Sequence, residues 1–564
     1  MLRHLSLWLA AIAASALPVS ARAPFELGVG RAAVSPHGGA VRPAGSVRGW
    51  LIHTADPEYL DRVLEAAPRY GVNHLDLSHD VVMNASEFES KPELAQSVEG
   101  AARRAAGAGI KAYVWAHELD TRDKDPDLDP ASPAGKAFWE ARREAYRRVL
   151  RACPSLAGVV LMFGSSPTEV WDIPGRDAFW KGLSMPARVR YVTELVREVV
   201  VGEFGKQLVV RDFNHGPKQL QWLVEGLRDC PGITVYSKAE PQDFQPFYPH
   251  SPSIGAYGST PQLLEIDLNG EYWGQSLIPV SLVGYLRYRI AHAASKGVAG
   301  AVGRIDTYRN RALGTPSEIN LYAFRRLLEE PSLDEQRIYD DWLRERYRLA
   351  PGSEPARRLQ SILERSFEMA KRVYYTQGFW TWKSQSSLPR NAKQIDGCIV
   401  GKSTALWDPA AAETERRLRR PAAADVRAIL AEKDDGVALA DANLRDMAPL
   451  AGRIAPSDYA DWTRRLRLAA DLARVYRAIA SGYWRVKLRE AHPEAPEAAL
   501  TAIRTALGEL EEWAERLPAS HAWCEPLAEE APRLREFAAD LRASLSRGPS
   551  ASARSLHPEM AAAR

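Results

Sequence analysis

Eight short apolar runs recur between Val47 and Arg304, with stretches of helical spacing between them. They fall at 47–53, 72–78, 110–116, 157–163, 206–211, 232–238, 262–268 and 298–304. Strand-length runs alternating with amphipathic stretches are the pattern of βα units and a parallel sheet. Tyr59, Val63, Leu64 and Ala67 form one apolar stripe at helical spacing, and Tyr191, Leu195, Val196 and Val199 form another. Eight such units predict a (β/α)8 barrel over 47–331, with its active site at the C-terminal ends of the strands. An open doubly wound sheet is the competing layout, but no Gly-x-Gly-x-x-Gly follows the first strand to support a nucleotide site.

Strand signals nearly vanish after Ser332-Leu-Asp-Glu335, which has the form of a capping box. Trp462, Leu466, Ala469, Leu472, Tyr476 and Ile479 keep helical spacing, as do Leu500, Ile503, Leu507 and Leu510. Residues 332–546 therefore read as an all-α C-terminal domain, and 547–564, rich in Ser, Ala and Pro, as a disordered tail. At the other end, a basic start, an apolar run from Leu5 to Leu17 and Ala21-Arg-Ala23 predict a signal peptide over 1–23 and hence export. A buried N-terminal helix is the alternative. Residues 24–46, with Gly and Pro throughout, read as a leader segment.

A formal net charge of +3 without a dense basic run gives no footing for nucleic acid or a membrane surface. No segment after the leader is apolar for long enough to span a bilayer. Cys153, Cys230, Cys398 and Cys524 allow disulfides in an oxidising compartment, but buried free thiols fit equally well, and their scatter forms no metal motif. No His-x-x-x-His or similar spacing suggests a metal, and no cofactor is expected.

Two carboxylates follow the sixth and seventh runs, in Lys238-Ala-Glu-Pro-Gln-Asp243-Phe-Gln-Pro and Leu264-Glu-Ile-Asp-Leu-Asn-Gly-Glu271-Tyr-Trp-Gly-Gln275. On neighbouring parallel strands both project into one mouth, where two adjacent carboxylates push the proton affinity of one of them up. These stretches, with Arg48-Gly and Val210-Arg-Asp-Phe213, resemble the xylan α-glucuronidases of glycoside hydrolase family 67 from about Arg48 to Arg304. The resemblance implies that Asp243 and Glu271 activate water, that Glu169 in the loop after the fourth strand is the general acid, and that Arg211 contacts the sugar. Trp171 beside Glu169 offers an apolar wall that would keep a carboxylic acid protonated. A family lysine that helps read a uronic carboxylate has no match in Met162-Phe-Gly-Ser-Ser166.

The remaining candidates are strand-end residues. Lys238 can lower the proton affinity of Asp243 or bind a hydroxyl. Trp50, Trp115, Trp171 and Trp273 are the tryptophans nearest the predicted mouth and candidates for stacking on sugar rings. His117, Glu118 and His215 are candidate ligand groups, with His53, His79 and Asp306 in similar positions; each serves equally well as a supporting hydrogen-bonder. Glu240 and Asp267 are nearby acids, the latter expected to face a neighbour inside the barrel. The aromatic segment from Tyr374 to Trp382 either reaches over the mouth or packs between domains. The chain is expected to be an exported inverting exo-glycosidase for α-linked glucuronic acid or a related sugar on an oligosaccharide or polysaccharide. A glycosidase for a neutral sugar and a non-catalytic carbohydrate-binding protein remain as alternatives.

Overall fold

The computed structural model describes residues 47–119, 121, 125–164, 169–381, 386–492 and 497–547. By contacts the chain divides into Met1–Ala40 and Val41–Arg564. The expected signal peptide (1–23), the leader (24–46), the tail beyond Arg547 and Trp382 lie outside the described residues.

All eight expected strands form, and they close into one parallel barrel in sequence order. They are β1 (Val47–Ile52), β2 (His74–Leu77), β3 (Lys111–His117), β4 (Gly158–Met162), β5 (Gln207–Arg211), β6 (Ile233–Lys238), β7 (Gln262–Asp267) and β8 (Gly300–Arg304). The closing pair is β1 with β8, Leu51 opposite Arg304. Side chains alternate between two apolar layers, as a strand period of two requires. Leu51, Trp115, Val160, Met162, Val209, Leu263 and Val302 fill the barrel, while Trp50, Ile52, Val114, Leu161, Val210 and Ile266 face the helices.

Six links or flanks carry the expected helix: α1 (Pro57–Ala66), α2 (Pro92–Gly107), α3 (Pro133–Ala152), α4 (Met185–Arg197), α5 (Pro217–Leu227) and α6 (Val283–Ser295). A seventh, α7 (Ile319–Glu329), follows β8. The link from β6 to β7, residues 239–261, has no helix. Pro241, Pro246, Pro249 and Pro252 remove backbone donors every few residues there, which no helix interior tolerates. That irregular link carries Asp243.

The C-terminal part is helical. Its first helix, α8 (Glu335–Tyr347), is capped by Asp334, whose side chain accepts from the Gln336 N–H, two residues later than the expected Ser332. After α9 (Glu354–Tyr374) and α10 (Ala392–Gly401), the longest are α11 (Ala423–Met447), the 36-residue α12 (Pro456–Ala491) and α13 (Glu497–Ser520). Every residue of the Trp462 to Ile479 stripe is buried. This part is fastened to the loops at the C-terminal ends of the strands: Arg465 Nη1 donates to the Ser276 carbonyl at 2.7 Å, and the Ser281 N–H donates to Ser366 Oγ at 2.9 Å.

All four cysteines are free thiols. Among the described residues no helix is long and apolar enough to cross a membrane, and no three metal-ligating side chains gather. A cavity of about 360 Å³ opens at the N-terminal ends of the strands, lined by His74, Lys111, Tyr113 and Gln207 among others. Barrel enzymes use the opposite end, so this cavity is not the candidate site.

Gly158 begins β4 where a Cβ would stand 2.0 Å from the Gln207 carbonyl oxygen and 3.0 Å from the Tyr113 ring. Gly158→Val should therefore force β4 and β5 apart, at a cost of about 1–3 kcal/mol or more. The check is a thermal midpoint, and a variant melting with the parent would show that the strands have room.

Candidate active site

Alternation along the strands puts ionic groups at the top of the barrel interior. Lys238 stands opposite Glu265, and Asp267 opposite Arg304. Glu265 is fully buried and lies between two guanidiniums. Arg211 takes it with both edges of its fork, Nη2 at 2.8 Å from Oε1 and Nε on Oε2, while Arg304 Nη2 is 3.9 Å away. Burial alone would raise the Glu265 carboxyl, but Arg211, Lys238 and Arg304 outweigh it and hold the group below its ordinary value. The Arg211 guanidinium lies over Trp115 and Phe213, 4.8 and 4.9 Å from the ring centres.

Glu271 is placed by its own loop. Asp267, the last residue of β7, accepts the backbone N–H groups of Asn269 at 3.0 Å, Gly270 at 3.1 Å and Glu271. The turn passes through Gly270 at φ 82°, a left-handed conformation that suits glycine. It returns Glu271 to Arg304, whose Nη1 donates to Oε2. Burial pushes the Asp267 carboxyl up to about 6 against the pull of Arg304.

Asp243 stands beside this pair with both oxygens occupied. Lys238 Nζ donates to Oδ1 at 2.8 Å, and Lys402 Nζ, just past α10, donates to Oδ2 at 2.8 Å. The Tyr272 hydroxyl donates to Oδ2 as well. Burial opposes the charge, but Lys238 and then Lys402 overcome it and hold Asp243 well below the usual carboxylate range. The Phe244 ring separates Lys238 from Arg304, 4.1 and 4.8 Å from its centre.

Glu169 approaches from the β4 side. Trp171 Nε1 donates to Oε2, and His215 Nε2 lies 3.1 Å from Oε1. The His215 carbonyl accepts from Gln242 Nε2 at 3.0 Å, which ties the Glu169 side of the mouth to the residue before Asp243. Across the mouth, His53 and His79 stack with ring centres 3.6 Å apart, flanked by the partly exposed Tyr308. Burial keeps both imidazoles well below the ordinary histidine value, and hence neutral. Asp306 accepts the His53 and Thr54 N–H groups at 2.8 and 3.0 Å, and burial pushes it up to about 7.

The expected residues divide. Lys238, Asp243 and Glu271 share the surroundings of Arg304 and Lys402, while Trp171 and His215 gather on Glu169. Arg211 is at the mouth, but its fork is spent on Glu265, with Nη1 against Met162 Sδ. Trp115 lies fully buried beneath Arg211, below the surface a sugar would touch. His117 has its Nδ1 2.7 Å from the Met83 carbonyl, and Glu118 accepts from Tyr146 of α3 at 2.7 Å, so both are bound into the wall. Two tryptophans require correction. Trp50 points outward from β1 against Tyr70, because successive strand residues face opposite sides and Leu51 takes the inside. Trp273 is buried against Phe367 and Tyr285 at the junction with the helical part. Tyr375 and Trp380 of the aromatic segment pack there as well, against Phe247 and Tyr272.

Arg304, Glu265, Tyr272, Tyr308 and Lys402 were not among the expected site residues. Glu265, Tyr272 and Arg304 fall inside or at the edge of the stretches that drew attention, so alternation could have found them. Lys402 sits in a helical region with no local signal.

No family model matches the chain, and no curated protein matches it. Among solved structures, a GH138 enzyme targeting pectin rhamnogalacturonan II superposes with a TM-score of 0.55 at 11% identity over 86% of this chain and 62% of that one. An O-GlcNAc hydrolase of Thermobaculum terrenum aligns over 90% of this chain and 95% of that one, at 11% identity and a TM-score of 0.44. The chain thus spans 62% of the length of the GH138 enzyme, and the first likeness supports the barrel fold. Membership of family 67 is not shown.

Glu265→Gln would leave two buried guanidiniums facing a neutral amide, and breaking such a pair costs about 3–5 kcal/mol. A large fall in thermal midpoint is expected; an unchanged one would mean that Arg211 and Arg304 do not depend on it. A second expectation concerns Glu240, pushed up to about 7 by burial although Arg289 Nε is 3.5 Å away. A carboxyl raised on folding stabilises fully below its unfolded value near 4 and loses that contribution as the pH climbs through its folded value. The thermal midpoint should therefore fall between about pH 4 and 7, and Glu240→Gln should flatten the slope.

Proposed function

We propose that the chain is an exported, metal-independent inverting exo-glycosidase that releases α-linked glucuronic acid or a related sugar from a plant- or algal-type polysaccharide or its oligosaccharides. One observation supports the reading: Glu169 in the loop after β4 pairs with His215, whose carbonyl accepts from Gln242, the residue before Asp243, so the loop of the proposed acid is tied to the loop of the proposed base. An inverting glycosidase needs an acid on one side of the sugar and a base on the other. Glu169 in its protonated form gives its proton to the leaving glycosidic oxygen. Water attacks the anomeric carbon from the opposite face, and the Asp243 and Glu271 side accepts the water's proton. Asp243, held ionised by two lysines, is suited to orienting that water.

The choice of an α-glucuronide rests on the likeness to family 67 around Lys238, Asp243 and Glu271. The GH138 enzyme's action on a pectin polysaccharide agrees with a carbohydrate substrate, at the level of fold. Export rests on the pattern of residues 1–23. One observation favours a neutral sugar instead: the fork of Arg211, an implied sugar contact, is already closed on Glu265.

Aryl α-glycosides of glucuronic acid and of glucose, offered to the wild type and to Glu169→Ala and Glu271→Ala, test the reading. Each substitution should lower the rate by at least about a hundredfold. The first product formed, followed by proton NMR, should be the β-anomer. A protein that binds these sugars without releasing product would be a carbohydrate-binding module on a glycosidase fold.

A further inference from the structure

We propose that Lys402, carried by the helical part, reads an acidic group on the bound sugar and is the specificity-determining cation of the mouth. This rests on the glycosidase reading and names a determinant that reading lacks. Among the described residues, four cationic side chains surround the mouth: Arg211, Lys238, Arg304 and Lys402. Three are committed to the barrel. Arg211 closes on Glu265, and Arg304 is held on Glu271 and over Phe244. Lys238 lies between the Phe213 and Phe244 rings, 4.4 and 4.1 Å from their centres, with Asp243 beyond. Their side chains are 4%, 5% and 3% exposed, whereas Lys402 is 23% exposed. Lys402 is the member of the set that solvent and a ligand can still approach.

Its chemistry leaves room for a ligand. An ammonium has three donors. Two are used, on Asp243 Oδ2 and on the Tyr272 hydroxyl. The chain is held there independently of those bonds. The Lys402 carbonyl accepts from the Tyr248 hydroxyl at 2.8 Å, and the Gly401 carbonyl accepts from Gln242 Nε2 at 3.2 Å. Gln242 also accepts from Tyr248 at 3.1 Å. Two lysines share the one carboxylate of Asp243, and Glu271 adds to the field at Lys402 without hydrogen-bonding to it, so the third N–H of Lys402 is used by no bond among the described residues. A sugar carboxylate would accept from it in a charge-assisted hydrogen bond. The helical part would then decide which sugars are accepted, and the barrel would supply the reaction.

The test compares the full-length wild type, Lys402→Met and Lys402→Arg on 4-nitrophenyl α-glucuronide and α-glucoside. The ratio of the two kcat/KM values should fall by about tenfold or more in Lys402→Met, mainly through KM on the glucuronide, since losing a charge-assisted bond has that size. Lys402→Arg, which keeps the charge, should recover part of the ratio. An equal loss on both substrates would overturn the proposal, because Lys402 would then act only through Asp243. An unchanged ratio would overturn it too. Should Lys402→Met not fold, titration of the wild type with free glucuronate and glucose decides: glucuronate should bind at least about tenfold more tightly, less so at high salt. Equal binding overturns the proposal. A wild type that cleaves neither glycoside defeats the glycosidase reading, while titrating wild type and Lys402→Arg with glucuronate and glucose still judges Lys402: the preference for glucuronate should change in the variant, and an identical preference overturns the proposal.

Discussion

The buried carboxylate of Glu265 is the group on which the mouth depends. Charges are expensive inside a barrel, and Arg211 and Arg304 are both buried at the top of this one. Glu265 neutralises the first with a two-point contact and sits within 4 Å of the second. That arrangement fixes where each guanidinium points. Arg304 is left with Nη1 directed at Glu271, and Arg211 is laid flat over Trp115 and Phe213. The position of one proposed catalytic carboxylate is thus set from below.

The other constraint comes from above. Between β6 and β7 the prolines prevent a helix, and in its place an irregular link brings Gln242, Asp243 and Tyr248 to the helical part. Lys402 enters through that gap. The C-terminal helices therefore make a wall of the site instead of lying beside it. The aromatic junction of Trp273, Tyr375 and Trp380 fixes the wall by burial, and Arg465 fixes it by hydrogen bonds.

The barrel was legible because eight parallel strands leave a repeated apolar signature that survives without any knowledge of tertiary contacts. That Glu169, Asp243 and Glu271 follow the ends of β4, β6 and β7 is legible for a related reason, because the strand boundaries themselves are. What escaped has a physical explanation in each instance. Closeness along the chain suggests the mouth for Trp50 and Trp273, but the face of a strand residue such as Trp50 depends on register, and Trp273 lies in the loop beyond β7, which turns it into the junction with Phe367 and Tyr285. Arg211 was correctly placed at a strand end, but a partner two strands away, Glu265, uses its fork. Lys402 is far from Asp243 in sequence, and nothing in its helical surroundings marks it.

The buried acids sort by how many cations face them. Glu240, near Arg289, and Asp306, answered mainly by backbone N–H groups, are lifted to about 7, and Asp267 to about 6. Asp243 and Glu265, equally buried, are held low. The difference is direct contact with cations: two lysines on Asp243, and a forked arginine with a second close by on Glu265. Burial sets a desolvation penalty that a single cation without a hydrogen bond, or a pair of amides, does not cancel, and hydrogen-bonded paired cations do. Asp243 therefore keeps its charge across the pH range in which its neighbours take up protons. One of the two lysines that hold it so, Lys402, belongs to the part of the chain outside the barrel.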